Sequence, residues 1–263
     1  MYRAKYLTKV PAILAGIPVP ESKNPYIAAP VSDAIVNIEI NECREPLVKV
    51  KGVPALEEHI GSLWTNLLEN LGFNLCSQAE VLSSTDRVPL GGLYASLSSV
   101  LYYALAEAHG ETPSSREIVE ILSLADPLDV DESLRTAISA LRYSATSGNV
   151  IAYRDLDEVY EFKATRLTSK VEINERAYRQ SARISKESLS LDIYSSLVHL
   201  AGIVVLQIAT DIKDGLELFE TLFKHKPILD AIAIAVWDLD KPQKNCFWSP
   251  ALPGLFELLC VEV

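Results

Sequence analysis

Residues 88–99 read VPLGGLYASLSS, a run rich in glycine and serine. The proline and the two adjacent glycines predict a loop over Asp86–Leu93, because both residue types interrupt regular structure. Apolar residues then recur at helical spacing from about Ala95 to Ala108, which predicts a long helix directly after the loop. A loop that leads into a helix presents backbone N–H groups at the positive end of the helix, where an anion can bind.

The segments on both sides of this stretch predict a mixture of helices and strands. Helical spacing of apolar residues predicts a helix over Ala55–Leu71. Ser114 with Glu117 matches a capping box for a helix through about residue 124, and Asp131 is the expected N-cap of a helix through about residue 143. Runs rich in Val, Ile, Tyr and Phe predict strands over Tyr2–Val10, Ala28–Ile40, Leu47–Val53, Phe73–Ser83, Val159–Arg166, Lys170–Ile173 and Leu255–Val263.

The order of these elements predicts an α+β fold with two subdomains. Strands come first, then a cluster of helices, then strands again and a second mixed unit. A doubly wound parallel sheet would instead show strict alternation of strands and helices.

The composition excludes several classes of function. The chain has 263 residues, 49% of them hydrophobic, and a net charge of -11. A polyanion would be repelled on average, so we expect no nucleic-acid partner. The strongest apolar run, around Leu197–Ala209, is too short to cross a membrane.

The four cysteines are Cys43, Cys76, Cys246 and Cys260. They are widely spaced, form no C-x-x-C pair and follow no N-terminal secretory signal. We therefore expect free thiols in the core rather than disulfides or a zinc site, and a soluble cytoplasmic protein.

Three segments carry a family signal when they are taken in order: Lys9–Gly16 with Tyr26–Pro30, then Val88–Ser99, then Thr146–Asn149. Together they resemble the motifs of the GHMP small-molecule kinases (galactokinase, homoserine, mevalonate and phosphomevalonate kinases). The second segment is similar to the family's phosphate loop, Gly-Leu-Gly-Ser-Ser-Ala at the start of a helix. The third is similar to the Ser-Gly-x-Asp turn that holds the catalytic aspartate.

The resemblance implies an architecture and a set of site residues. Residues 1–164 would form a GHMP kinase-like domain with a left-handed crossover, and residues 165–263 a ferredoxin-like domain. The mevalonate and phosphomevalonate branch is the expected relative. The implied nucleotide-binding residues are Gly91, Gly92, Ser96, Ser98 and Ser99, and the implied catalytic residues are Ser96 and Asn149.

Several positions depart from the family pattern. Tyr94 stands where the family has its second loop glycine, and an aromatic ring there would crowd a triphosphate. Ser96 could hydrogen-bond a phosphate or merely cap the helix. Asn149 replaces the aspartate, and an amide cannot accept a proton. It could orient a hydroxyl or stabilise a turn.

The remaining motifs are also altered. Ile13 replaces the lysine of the first motif, and the turn before the final strand, Ser249–Leu255, contains prolines that remove N–H donors. Magnesium prefers carboxylate oxygens, yet no Asp or Glu lies between Glu132 and Asn149. Asp126 and its acidic neighbours resemble caps that compensate the helix dipole, so we predict no metal site.

A second candidate surface contains Arg176, Arg179 and Arg183. On a helix these arginines would share one face and could bind an anion, although most charged faces are simply solvated. A hydrolase site is not indicated, because the sequence has no G-x-S-x-G elbow.

The sequence therefore predicts a divergent GHMP kinase-like protein in which ATP phosphotransfer is lost or strongly altered, acting by ligand binding or assembly. The alternatives are an active ATP-dependent kinase of a small alcohol or phosphorylated acid, and a purely structural or regulatory subunit. The cofactor is left open between none and ATP with Mg²⁺. A small anionic ligand and self-association are the expected partners, with neither nucleic acid nor membrane.

Overall fold

The computed structural model describes residues 1–19, 22–82, 88–127, 132–154, 159–162, 171–172, 179–181, 191–253 and 255–261. Within these ranges the chain forms two sheets and six α-helices. The predicted domain boundary between residues 164 and 165 and the predicted N-cap at Asp131 lie outside them.

The first sheet is built around a long hairpin. Its six strands are β1 (Tyr2–Ala15), β2 (Tyr26–Glu42), β3 (Leu47–Lys51), β4 (Leu75–Val81), β5 (Val150–Tyr153) and β6 (Tyr160–Phe162). Their order is β3-β4-β2-β5-β6, with β1 paired to β2 along most of its length. Among the strand pairs that the structure describes in this sheet, only β3–β4 is parallel and the others are antiparallel.

Four helices belong with this sheet, namely α1 (Glu57–Leu71), α2 (Leu90–Ala108), α3 (Ser115–Ala125) and α4 (Glu132–Ser147). The apolar spacing of α1 buries Trp64 in the largest core cluster, and the helix ends at Gly72 with a φ of 72°. α3 carries the predicted capping box between Ser114 and Glu117. These helices confirm the predictions made from periodicity and capping.

The second sheet contains β7 (Val171–Glu172), β8 (Arg179–Ser181), β9 (Cys246–Leu252) and β10 (Leu255–Val261). β10 pairs antiparallel with each of the other three strands. Helices α5 (Leu191–Lys213) and α6 (Leu218–Trp237) contact each other, and α6 also contacts β9. β9 contacts β1 and α2, so the second sheet lies against the first unit.

One predicted loop is partly wrong. The loop expected over Asp86–Leu93 gives way to helix at Leu90, so both glycines lie in the first turn of α2. Glycine weakens helix interiors in general. Here it is required because neighbouring backbone approaches Gly91 and Gly92 closely, as described below.

The expectation of free thiols is also wrong. Cys43 pairs with Cys76 and Cys246 pairs with Cys260, so every cysteine is in a disulfide. The sheet registers explain the second bond, because Cys246 and Cys260 are directly opposed on β9 and β10. Wide spacing in sequence gave no indication of this opposition. Because all four cysteines are paired, they do not indicate a reducing compartment.

Helix α5 is longer than the predicted apolar run. By length and composition alone, Asp192–Lys213 is long and apolar enough to cross a membrane. A core helix of a soluble protein passes the same test, and α5 packs on α6 and β2. Its outer face nevertheless exposes Leu200, Ile203 and Leu206.

Candidate functional site

The N-terminus of α2, where a phosphate would be expected, holds an internal carboxylate. The backbone N–H of Leu90 donates to both oxygens of Glu257, at 2.9 and 2.7 Å. Glu257 comes from β10 and is only 1% exposed. Because a helix N-terminus carries partial positive charge, a carboxylate at this point is stabilised in the way that a bound anion would be.

The two glycines of the stretch are packed against backbone rather than against an open cleft. A Cβ atom on Gly92 would lie 1.7 Å from the carbonyl oxygen of Pro11 in β1. A Cβ atom on Gly91 would lie 2.8 Å from both Cα and the carbonyl oxygen of Ala251 in β9. Glycine is therefore needed here for the close packing of α2 on β1 and β9.

The serines of the stretch are buried and bonded within the protein. The hydroxyl of Ser96 lies 2.6 Å from the Lys9 carbonyl oxygen and 2.8 Å from that of Gly92. Ser98 and Ser99 donate to the Ala95 carbonyl oxygen at 3.0 and 2.8 Å. All three side chains are at most 3% exposed. Their role as nucleotide ligands stays a prediction.

Tyr94 belongs to a buried polar cluster under α2. Its hydroxyl donates to Asp126 Oδ1 at 3.1 Å, and Arg142 forms two bonds with the same carboxylate, at 2.8 and 2.7 Å. Arg142 Nε also donates to Ser98 at 3.2 Å. Burial, reinforced by the charge of Asp126, raises the pKa of Tyr94, so this phenol stays protonated.

The expectation for Asp126 is corrected by this cluster. Asp126 follows the C-terminal end of α3 rather than capping a helix N-terminus. It is 2% exposed and forms a fully buried ion pair with Arg142 of α4. A buried charge is tolerated where it is paired and hydrogen-bonded, and here the pair links α3 to α4.

Asn149 occupies the turn between α4 and β5. Its backbone N–H donates to Ser147 Oγ at 3.2 Å, and its carbonyl accepts a bond from Ser144 at 2.8 Å. Its side-chain Nδ2 donates to Glu161 of β6. These bonds are those of a stabilised turn. They also place the carboxylate of Glu161 beside Asn149, the residue that the resemblance aligns with the family's aspartate.

The first and last motifs meet in the interior. Ile13 is fully buried, and its backbone N–H donates to Ser249 Oγ of β9 at 3.2 Å. The turn that follows approaches α2 through Pro250 and Ala251. The first motif, the start of α2 and the last turn therefore lie together in space. They pack directly against one another through their own backbone and side chains.

The structure also locates possible metal ligands and part of the predicted arginine surface. Among the described residues, no group of three His, Cys, Asp or Glu side chains could hold a metal ion. Arg179 lies in strand β8 rather than on a helix, so helical spacing does not apply to it. Arg176 and Arg183 lie outside the described residues.

Sequence reasoning missed Glu257 and Glu161. A single acidic residue in the apolar run LFELLCV was a signal for Glu257, because a carboxylate is rarely buried without a partner. No comparable signal was available for Glu161, since its contact with Asn149 depends on the pairing of β5 with β6.

The sequence matches no protein-family model and no curated protein. The structure, in contrast, is similar along its whole length to several kinases of known structure, and the chain has the GHMP kinase fold. L. major mevalonate kinase in complex with R-mevalonate matches with a TM-score of 0.63 and 13% identity, covering 99% of this chain and 87% of the other.

Two other structures give the same result. Mevalonate pyrophosphate decarboxylase from Streptococcus pyogenes matches with a TM-score of 0.60 and 10% identity, covering 99% and 90% of the two chains. Streptococcus pneumoniae phosphomevalonate kinase in complex with phosphomevalonate and AMPPNP matches with a TM-score of 0.57 and 8% identity, covering 99% and 93%. The predicted GHMP kinase-like fold is thereby confirmed, and the ferredoxin-like character of residues 165–263 stays a prediction.

Proposed function

We propose that this protein has the GHMP kinase fold but is not a catalyst. Its nucleotide cradle, the space at the N-terminus of α2 around Leu90, Gly91 and Gly92, is filled by its own residues. The observation that carries the proposal is the carboxylate of Glu257 on the Leu90 N–H. A phosphate at the same place would have to displace this buried side chain, whose two oxygens already accept from the N–H group that a phosphate would use.

The packing of the glycines supports the same conclusion. A phosphate loop works because successive N–H groups face an open space. Here the Cα atoms of Gly91 and Gly92 pack closely against the backbone of Ala251 and Pro11, so the chain itself occupies space beside these N–H groups. Together with the side chain of Glu257, this packing does not fit a bound triphosphate.

The alternative of an active kinase depends on Ser96 and on Asn149. Ser96 is fully buried and its hydroxyl is already bonded to backbone carbonyl oxygens. Glu161 could supply the carboxylate that Asn149 lacks, but it accepts a bond from the Asn149 amide. These contacts favour the non-catalytic function.

Thermal unfolding with and without Mg-ATP tests the proposal. If the site bound Mg-ATP with a Kd of about 0.1 mM, about 10 mM nucleotide would raise the free energy of unfolding of the protein by about 2.7 kcal/mol. We expect no rise in the melting temperature of the wild-type protein or of Ser96→Ala. Because Ser96 lies at the centre of the implied site, a rise that Ser96→Ala abolishes would contradict the proposal. A rise that survives the substitution would place nucleotide elsewhere on the protein.

Action through assembly is the mode that the surface supports. Leu200, Ile203 and Leu206 are between 39% and 50% exposed on one face of α5, and exposed apolar patches often mark interaction sites. Size-exclusion mass measured across dilution tests this mode. A protein that remains monomeric and purifies without a partner would contradict it.

A further inference from the structure

A groove of about 1150 Å³ lies between α6 and the segment that leads into β9. Its apolar wall is formed by Phe223, Pro227, Ala231 and Ile234, and its other side by a loop that carries Lys241 and Lys244. This volume suits a small organic ligand. Ala251, which contacts Gly91, lies six residues beyond Asn245 of the groove, about 20 Å along the extended strand. The groove is therefore separate from the cradle.

The floor of the groove holds a lysine that is buried at an energetic cost. Lys226 is 5% exposed, forms an ion pair with Asp230, and lies with Nζ 5.5 Å from the centre of the Phe247 ring. Lysine is almost never buried unless it is paired, and a buried pair adds little net stability. Burial also raises the pKa of Asp230.

The helix that forms one wall of the groove contains a second destabilising residue. Pro227 lies inside α6, where it cannot donate a hydrogen bond to the carbonyl of Phe223. A proline in a helix interior costs about 3 kcal/mol. Residues that destabilise the element in which they lie are expected at functional sites. Here two such residues, the buried Lys226 and the helix-interior Pro227, are adjacent in one groove.

The loop wall is held in place before any ligand arrives. The Trp248 indole N–H donates to the Asp240 carbonyl at 2.9 Å, and Asn245 Nδ2 donates to the Val261 carbonyl at 2.9 Å. The disulfide of Cys246 follows directly. A preformed wall lowers the ordering cost of binding.

The charges of the groove select the kind of ligand. Lys226 is paired with Asp230, and the charge of Lys241 also acts on that carboxylate. With Lys244, three lysines and one aspartate line the groove, so its lining carries a net positive charge. This contrasts with a net charge of -11 for the chain. We propose that the groove is a binding site for an amphipathic anion, a compound with an apolar body and one carboxylate or phosphate group.

Direct binding measurements with simple probes test the site. Decanoate and decyl phosphate, used below their micellar concentrations in titration calorimetry, represent the two anionic groups on the same chain. We expect at least one of them to bind, and 1-decanol and inorganic phosphate to bind at least about tenfold more weakly, a difference of about 1.4 kcal/mol. The tighter of the two anionic probes identifies the head group.

Three variants locate the binding. Lys241→Glu with Lys244→Glu is expected to weaken binding of the anionic probe at least about tenfold, because it replaces both groove-lining cations of the loop with carboxylates. Ala231→Trp fills the groove and is expected to have a similar effect. The double variant Lys5→Glu with Lys49→Glu changes the net charge equally at exposed strand positions and should leave binding unchanged.

Circular dichroism of each variant verifies that it is folded. The proposal is overturned if neither anionic probe binds at about 1 mM, where an affinity of about -4 kcal/mol would be detected. It is also overturned if decanol binds as tightly as decanoate, or if the folded loop and groove variants bind the probe as well as the wild type does.

Discussion

Glu257 is the acidic side chain that caps the N-terminus of α2. Its carboxylate is buried and accepts from the first N–H of α2. Removing it leaves a cavity and an unsatisfied donor at the helix N-terminus.

We therefore predict that Glu257→Ala lowers the free energy of unfolding by about 2–4 kcal/mol. Urea denaturation monitored by circular dichroism measures the change. Glu220→Ala, on the exposed surface of α6, is the control and should change stability by less than about 0.5 kcal/mol. Equal effects of the two substitutions would show that the carboxylate is not a structural cap.

Gly92 provides a second test at the scale of one residue. Gly92→Ala would place Cβ 1.7 Å from the Pro11 carbonyl oxygen, so α2 and β1 must separate. We predict a loss of more than about 3 kcal/mol or failure to fold, as in other overpacked cores.

Gly61→Ala is the matched control for this prediction. Gly61 lies inside α1, and its Cβ would meet nothing within 4 Å. Because alanine is the better helix former, this variant should gain about 0.5–1 kcal/mol. A tolerated Gly92→Ala, measured in the same denaturation assay, would contradict the close packing.

At the scale of elements, two tyrosines of β1 hold the C-terminal end of α2. The hydroxyls of Tyr2 and Tyr6 donate to Glu107 Oε2 at 2.5 and 2.6 Å. These bonds lower the pKa of Glu107. The carboxylate form therefore stabilises the fold above the unfolded-state pKa of Glu, about 4.3, and this stabilisation is lost as the pH falls through the lowered folded-state pKa.

We predict that Glu107→Gln is less stable than the wild type at pH 7 and that the difference disappears towards pH 3. Urea denaturation at a series of pH values measures this. Glu69→Gln, on the exposed side of α1, is the surface control and should change the free energy of unfolding at pH 7 by less than about 0.5 kcal/mol. A Glu107→Gln difference that is constant with pH would contradict the lowered pKa.

The disulfides act on the whole molecule. The Cys43–Cys76 bond spans 33 residues and the Cys246–Cys260 bond spans 14. By loop-closure entropy, losing them costs about 4 and about 3 kcal/mol respectively. Serine replacement of each pair, followed by urea denaturation, should give losses in that order.

Thiol titration provides the chemical check on this prediction. The unfolded, unreduced protein should show no free thiol, because every cysteine is paired. Free thiols in that sample would contradict the pairing and would restore the sequence-based argument for a reducing compartment.

Much of the fold could be predicted because local signals agree with it. The capping box of Ser114, the apolar face around Trp64 and the strand of Phe73–Ser83, observed as β4, each depend on neighbours in sequence. The motif order also predicted the kinase-like fold. The buried position of all three tryptophans follows from their size and apolar character.

The interior of the candidate site could not be predicted, because it depends on distant residues. Glu257 reaches Leu90 across 167 positions and Ser249 reaches Ile13 across 236. The sequence showed that Tyr94 stands where the family has a loop glycine. It did not show that the oxygens of Glu257 occupy the place expected for a phosphate. The start of α2 at Leu90 was missed for the same reason, since Gly91 and Gly92 are explained only by the approach of Ala251 and Pro11.

The cap of α2 by Glu257 has a consequence for synthesis on the ribosome. When residues up to 250 have been made, the first N–H of α2 has no partner other than water, because its acceptor has not yet been added to the chain. The first turn of α2 is therefore uncapped, and less stable by about 1–2 kcal/mol, until residue 257 has left the exit tunnel. This cap makes the stability of a helix in the first unit depend on a strand that is synthesised 167 residues later.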